Sequence, residues 1–431
     1  MRPSRLVIAL ATLGVASIRV SLAQIDASDT PPLAVDIFQT GPATFENELK
    51  KLAEQGALFQ LSYTGEYFGN LSGGFRRGAE YEGLLKLAGR FNLEKLALLP
   101  HMTFYISALD THGEGLTNRY VHDLNGVSNI DAYDTVRLYE LWLQYGGPLD
   151  WLSIRVGQWA VDMKYFGVDS SQLFVNSSFG LYGTISNDLT APVYPVAAPG
   201  IRLRVEPLPR LYLQLATFDG NPGQQNVDNK HGVAFRISQH DGALLFFEAK
   251  YRAHQKENAQ AGWESTGGLK GTYTIGAFFA TADFADEHGA GMHRGNYGGY
   301  VSIDQQVYCP DADKDPTRGL AAFARCSLAP SDRNLVSWYF DSGFNYKGLF
   351  PGRGNDFAGV AIGYTRISDD AVERVGQPIV SRHEATLEVT YQVTLNDWVS
   401  IQPDLQFIMN PGATGTTRNA AVAGLRFNVA F

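Results

Sequence analysis

The stretch Glu384 to Leu395, EATLEVTYQVTL, carries the pattern that decides the fold. Ala385, Leu387, Val389, Tyr391 and Val393 alternate with Glu384, Thr386, Glu388, Thr390 and Gln392. Successive side chains of a strand point to opposite faces, so this segment has one apolar and one polar face. The same alternation returns at Ile401 to Ile408, with Gln402, Asp404 and Gln406 on the polar side, and at Ile201 to Glu206, with Arg202 and Arg204.

About sixteen such runs can be placed, each near the roughly 9–11 residues that cross a bilayer at a tilt. They lie near 58–68, 81–90, 101–109, 136–145, 152–159, 200–206, 211–217, 231–238, 244–251, 271–279, 298–307, 335–346, 357–367, 384–394, 399–408 and 421–431. The joins after the second, fourth, sixth, eighth, twelfth and fourteenth runs are short, as at Pro207 to Arg210, Gln239 to Ala243 and Leu395 to Trp398. Those after odd-numbered runs are mostly longer, and the longest, 160–199, follows the fifth. Outer-membrane barrels segregate long external loops from short periplasmic turns in this way, whereas a soluble all-β protein has no reason to. The join 280–297 breaks the rule, being too long for a simple turn. The expected fold is all-β: a transmembrane antiparallel β-barrel of about sixteen strands, closed so that every backbone group finds a partner in lipid. A barrel of that size leaves an aqueous lumen rather than a packed core. Polar faces then line water and apolar faces meet lipid.

Composition agrees. Among 431 residues, 45 Gly, 21 Tyr and 25 Phe suit turns, strands and membrane interfaces, and only 18% are charged. A net charge of -9 argues against a nucleic-acid partner. Arg2 and Arg5, the apolar run Leu6 to Val15 and the small residues around Ser21-Leu22-Ala23 read as a signal peptide, 1–23, cleaved before Gln24. That run is too short to span a bilayer, and no later one reaches the length of a membrane helix. The segment 24–57 differs from the rest: FENELKKLAEQ, Phe45 to Gln55, spaces Phe45, Leu49 and Leu52 as a short helix ahead of a barrel over 58–431. The chain is therefore expected in the bacterial outer membrane, with its lipid as a partner.

Strand parity selects the lumen residues. Glu140, Trp142 and Gln144 share one face of the fourth run, Ser153, Arg155 and Trp159 one face of the fifth, and Arg202, Arg204 and Glu206 one face of the sixth. These runs are neighbours, so the residues form one patch, with Asp162 just beyond the fifth. Aromatic surface beside paired donors and acceptors is what a sugar needs. Mixed charge favours a neutral polar solute over an ion of either sign. The alternatives place Trp142 and Trp159 in a lipid-interface belt, or let the charges neutralise one another without a substrate site. The join Ala160 to Pro199 holds Phe166, Phe174, Phe179 and Tyr182, too many aromatics for a solvated loop, and is expected to fold inward and narrow the pore.

Cys309 and Cys326 fall in one join, 308–334, and are expected to form a disulfide in an external loop. Asp311, Asp313 and Asp315 lack the later Gly and Glu of a calcium loop and read as a solvated acidic loop. Neither a nucleophile elbow nor an HExxH motif is present, and His112, His122, His288 and His293 have no ligand-like spacing. No catalysis, metal or cofactor is expected. A barrel enzyme is the remote alternative, and a general diffusion pore without sugar preference the nearer one.

Several segments resemble the carbohydrate-selective porins of the OprB type. In order they are ELWLQ (Glu140 to Gln144), LSIRVGQ (Leu152 to Gln158) with Asp162, FVNSSFG (Phe174 to Gly180), Tyr194-Pro195 and APGIRLR (Ala198 to Arg204). SDRN (Ser331 to Asn334), GLFPGR (Gly348 to Arg353), GYTRIS (Gly363 to Ser368), QPDLQF (Gln402 to Phe407), Asn410-Pro411-Gly412 and the final Phe431 follow. The resemblance runs from about Asn70 to the end. It implies a sixteen-stranded barrel passing glucose and related sugars down a gradient, with Phe431 read by the barrel-assembly machinery; a monomer and a homotrimer are both compatible with the sequence. One departure bears on the charge of the constriction: Met163-Lys164-Tyr165-Phe166 stands where the family has an acidic residue followed by Phe.

Overall fold

A computed structural model describes residue 49 and residues 51–430, apart from 148–150, 223–228, 236, 238–240, 259–261, 313 and 374–380. The signal-peptide segment and Phe431 lie outside the described residues. Residues 51–55 are helical, and the chain enters the barrel directly after them.

Sixteen antiparallel strands close on themselves: β1 (Ala57–Gly74), β2 (Gly78–Asn92), β3 (Met102–Gly113), β4 (Thr135–Tyr145), β5 (Leu152–Trp159), β6 (Ala198–Leu208), β7 (Leu211–Asp219), β8 (Ala243–Ala253), β9 (Gly271–Ala285), β10 (Met292–Tyr308), β11 (Gly319–Leu328), β12 (Val336–Lys347), β13 (Phe357–Ile367), β14 (His383–Asn396), β15 (Val399–Met409) and β16 (Arg418–Ala430). The seam is β1 on β16, with Glu66 opposite Arg426. No helix among the described residues is long and apolar enough to cross a membrane; the strands do so.

The burial pattern is inside-out relative to a soluble protein. In β14, Glu384, Thr386, Glu388 and Thr390 are buried, while Leu387 and Val389 are exposed. In β15, Gln402, Asp404 and Gln406 are buried, and Leu405 and Phe407 are exposed. The apolar faces meet lipid and the polar faces point inward, as the period of two requires.

Two strand assignments are corrected. The described residues of the run 231–238, which are 231–235 and 237, are not in a strand. The alternation is real, but Val233, Phe235 and Ile237 are exposed, and the segment is tied to the barrel by single bonds, such as Leu138 N donating to His231 O at 2.9 Å. Conversely, GLAAFARCSL is strand β11, paired with β10 and β12 over its length. Small side chains at Ala321, Ala322 and Ala324 mute its alternation. The two errors cancel in the total but invert the sidedness of every join between them. That inversion explains the anomalous join at 280–297: β9 and β10 continue far beyond the expected runs, leaving only 286–291 between them.

The same inversion removes the disulfide. The expected external loop 308–334 contains β11, so Cys309 follows β10 at the short-turn end, while Cys326 pairs with Val301 and Phe340 far along β11. Both thiols are free. Leu320 and Cys326 are separated along β11 by roughly 20 Å at about 3.3 Å per residue, and a disulfide tolerates Cα atoms no more than about 7 Å apart.

Candidate functional site

The join 160–197 does fold inward. Phe166, Phe174, Phe179 and Tyr182 are all buried. Phe166 packs edge-on against Phe246 of β8 and Tyr300 of β10, with ring centroids 5.4 and 5.2 Å apart, and Phe174 and Phe179 pack on Phe323 of β11. The apolar rings of the loop thus meet the few aromatics that the barrel wall points inward.

Polar wall residues then pin the loop backbone. Ser170 N donates to Asp304 of β10 at 3.0 Å. Val175 N and Asn176 N donate to the Glu388 carboxylate of β14 at 2.7 and 2.9 Å. Gln402 of β15 donates to Leu173 O at 2.7 Å. Helix-poor loop backbone needs partners when buried, and carboxylates accepting N–H groups supply the stronger kind of bond. Glu384 and Glu388, the residues that revealed the fold, are therefore loop anchors.

A second loop, 114–134, also enters the lumen, and parity gave no sign of it. Leu124 N donates to Glu384 at 2.8 Å, Gln406 donates to Val127 O at 3.0 Å, and Arg426 donates to Asn129 Oδ1 at 2.6 Å. Val121 and Val127 join Phe68, Ile408 and Val422 in an apolar cluster. The only sequence signal was the length of this join and the apolar residues Leu116, Val121 and Val127 within it. The two loops are zipped together: Asn129 N donates to Val175 O at 2.8 Å, and Ser177 N to Gly126 O at 3.0 Å. One double layer of loop therefore crosses the lumen from β4–β6 to β10–β16.

Of the residues expected on β4, β5 and β6, Trp142, Gln144, Arg155 and Arg202 face inward and come together. Gln144 Oε1 accepts from Arg155 Nη2 at 2.7 Å, Arg155 Nε at 3.1 Å and Arg202 Nη2 at 3.0 Å. The Arg155 guanidinium lies 3.7 Å above the Trp142 ring, whose other neighbour is Tyr105, stacked at 4.9 Å. Two local irregularities build this arrangement. A bulge in β4 inserts Tyr139 between Leu138 and Glu140, so Arg137 and Tyr139 also face inward before Glu140, Trp142 and Gln144 continue the face. In β5, Gly157 sits at φ +142°, and a Cβ there would lie 2.3 Å from Leu141 O; the kink turns both Gln158 and Trp159 inward.

Burial then separates the roles. Trp142, Trp159, Arg155 and Arg202 are at most 2% exposed. Trp159 packs 4.4 Å from Phe218 beneath the loop, so it is neither a lipid-belt residue nor a free lumen surface. Glu140, Asp162 and Arg204 are half-buried, but not side by side: Leu141, next to Glu140, lies opposite Gln158, whereas Arg204 lies opposite Ser153, roughly 17 Å further along β5 at about 3.3 Å per residue. Glu140 accepts from Ala160 N at 3.0 Å and Asp162 from Tyr194 N at 2.9 Å, fixing both ends of the inward loop. The Arg204 guanidinium lies 4.2 Å above the Tyr212 ring. Glu206 stands apart: it accepts from Arg210 N at 2.9 Å and closes the tight turn between β6 and β7. Lys86 of β2, not singled out in the sequence, lies within electrostatic reach of Glu140 and Asp162. Its alternation with Leu85 and Leu87 was the available signal.

In place of the family's acidic residue and Phe, Tyr165 and Phe166 are buried in the aromatic cluster. Among the described residues no group of His, Cys, Asp or Glu is arranged to hold a metal ion. Asp311 instead pairs with Lys314 at 2.9 Å and Asp315 with Lys347 at 3.3 Å; Asp313 lies outside the described residues.

Residues 76–431 match the model of the carbohydrate-selective porin, OprB family. The chain belongs to this family. Porin B of Pseudomonas aeruginosa is 28% identical over 88% of this chain and 89% of its own. A putative porin, QuiX, of Acinetobacter baylyi is 22% identical over 89% of this chain and 91% of its own. The high-pH structure of Pseudomonas putida OprB superposes with a TM-score of 0.79 at 23% identity, covering 90% of this chain and 97% of that one. This OprB-family porin is an outer-membrane sugar porin, and its fold is that of a channel. The two zipped loops cross the lumen of its barrel.

Proposed function

We propose that glucose and related sugars diffuse through this porin along a rim of half-buried residues, Glu140 and Asp162 at one level and Arg204 further along β6, with Trp142, Gln144, Arg155, Trp159 and Arg202 as the rigid bed between them. The observation that carries this reading is the mixed, half-exposed character of this path: carboxylates held by loop N–H groups at one level and a guanidinium stacked on Tyr212 at another. Fixed donors and acceptors match the hydroxyls of a polyol, and ring faces match its C–H surface. Neither sign of charge dominates, which disfavours ion selection. Passage requires weak binding, so each contact contributes modestly. The lumen and its loops are complete within one chain, so the reading holds for a monomer or a homotrimer. Residues 1–23 serve as the export signal, and the C-terminal Phe431 is the feature read by the barrel-assembly machinery.

Planar-bilayer conductance titrated with glucose, maltose and a non-sugar solute of similar size tests this. Sugars should block ion current at concentrations where the other solute does not. Glu140→Gln and Arg204→Ala should each weaken the sugar block, and Arg204→Ala should also shift selectivity toward cations. Equal block by all three solutes would support a general diffusion pore instead.

A further inference from the structure

Beneath the inward loop, on the β9–β13 side of the barrel, lies a cavity of about 200 Å³ that shares no residue with the rim described above. Its roof is Asp169 and Ser170 of the loop. Its wall includes Lys270 before β9, Asp304 of β10, Asn345 and Lys347 at the end of β12, and Phe357 at the start of β13. These strand ends, with Pro316 and Thr317 of the join 309–318, lie at the end of the barrel that holds both its first and last strand ends. In outer-membrane barrels the short joins at that end face the periplasm.

The cavity is pre-formed. Asn345 Nδ2 donates to Ser170 O at 2.7 Å, Ser170 N donates to Asp304 Oδ2 at 3.0 Å, and Lys347 Nζ donates to Thr317 Oγ1 at 2.6 Å. Roof, wall and floor are therefore fixed before any solute arrives. Asp169 next to the pinned Ser170 is exposed and offers its carboxylate to the space. Asp304 is already bonded to Ser170 through both carboxylate oxygens, and Lys347 to Thr317 and Asp315, so the lining presents met charges rather than a bare anion or cation site. Dense donors and acceptors beside the Phe357 ring, which also packs on the loop's apolar cluster, suit a neutral pyranose.

We propose that this cavity is a second sugar subsite, on the periplasmic side of the narrow region, where a sugar pauses before release. The proposal rests on the reading of the rim as the sugar path and adds a station to it. Two weak sites in series let a solute leave the first without a single deep well, which conduction requires.

The test is maltose block of single, oriented channels, with the sugar added to one face at a time. Phe357→Ala should raise the half-blocking concentration from the short-join face about fivefold, equivalent to ~1 kcal/mol. Asp169→Asn should raise it in the same direction. Block from the opposite face should change less. Phe357→Tyr, which keeps the ring, should block like the parent, and heat-resistant electrophoretic mobility should show that every variant is a folded barrel. If Phe357→Ala and Asp169→Asn block like the parent from both faces while Glu140→Gln weakens block, the subsite is overturned and the rim stands. If all three block like the parent, both readings fall. A change confined to ion selectivity in Asp169→Asn would make the cavity an ionic vestibule and also overturn the subsite.

Discussion

Arg325 and Asp341 face each other as register partners across β11 and β12, and Arg325 Nε donates to both carboxylate oxygens, at 2.9 and 3.1 Å. Both side chains are fully buried. Nη2 also donates to Asp341; its other hydrogen and those of Nη1 go to the inward loop: Ser178 O at 2.9 Å, Phe166 O at 3.3 Å and Gly180 O at 3.4 Å. The Tyr339 hydroxyl completes the cluster by donating to Asp341 at 2.8 Å. A single wall cation thus holds three carbonyls of the loop, and its own charge is met within the wall.

Arg325→Met should therefore strand Asp341 in a buried site and release the three carbonyls together. Removing one partner of a buried pair costs ~3–5 kcal/mol. The variant should melt at a lower temperature in detergent and show noisier open-channel current. Arg325→Met combined with Asp341→Leu should recover part of the melting temperature but not the quiet current. A single variant that melts and conducts like the parent would contradict this account.

Shortening the inward loop should widen the pore. A deletion of residues 169–180 removes Phe174 and Phe179 and the bonds to Glu388, and single-channel conductance should rise. Glu388→Gln, which keeps the shape but loses the charge on two backbone bonds, should raise current noise with a smaller change in conductance. Unchanged conductance in a folded deletion would show that the cross-section is set elsewhere.

The second loop should respond to pH through Asp123. Burial raises the Asp123 carboxyl to about 6, although bonds from Thr117 and Gly126 N oppose the shift; Asp131 and Glu384 stand nearby. The folded value lies above the ordinary value of about 4, so the fold favours the protonated group. The associated stability is fully present below pH ~4 and is lost as pH rises through about 6. Amides of 114–134 should be better protected from hydrogen exchange at pH 5 than at pH 7.5, after correction for intrinsic rates. Asp123→Asn should flatten that difference; a variant retaining the full dependence would assign it to another group.

Both thiols should be reactive. Alkylation of unfolded, unreduced protein should modify Cys309 and Cys326 alike, and reduction beforehand should leave the melting temperature unchanged. Protection of both cysteines until reduction would restore the disulfide and refute the placement of β11.

Much of the fold was legible because a membrane barrel imposes one rule along the whole chain. Wherever side chains alternate strongly, as in EATLEVTYQVTL, the sequence alone specifies a strand, its lipid face and its lumen face. It also specified that Glu140, Trp142, Gln144, Arg155, Trp159, Arg202 and Arg204 point inward, and that the aromatics of 160–197 have nowhere to go but inside. Tertiary structure decided what periodicity cannot encode. Whether a segment is a strand depends on its neighbours: the run 231–238 alternates, yet its described residues join no sheet, and β11 barely alternates but is paired on both sides. Whether an inward residue is a surface or a support depends on what crosses the lumen. Glu384, Glu388 and Arg155 have the same parity as an open pore lining, yet the two loops and their neighbours enclose them. Parity fixes direction through local covalent geometry, whereas burial is set by contacts between residues hundreds of positions apart.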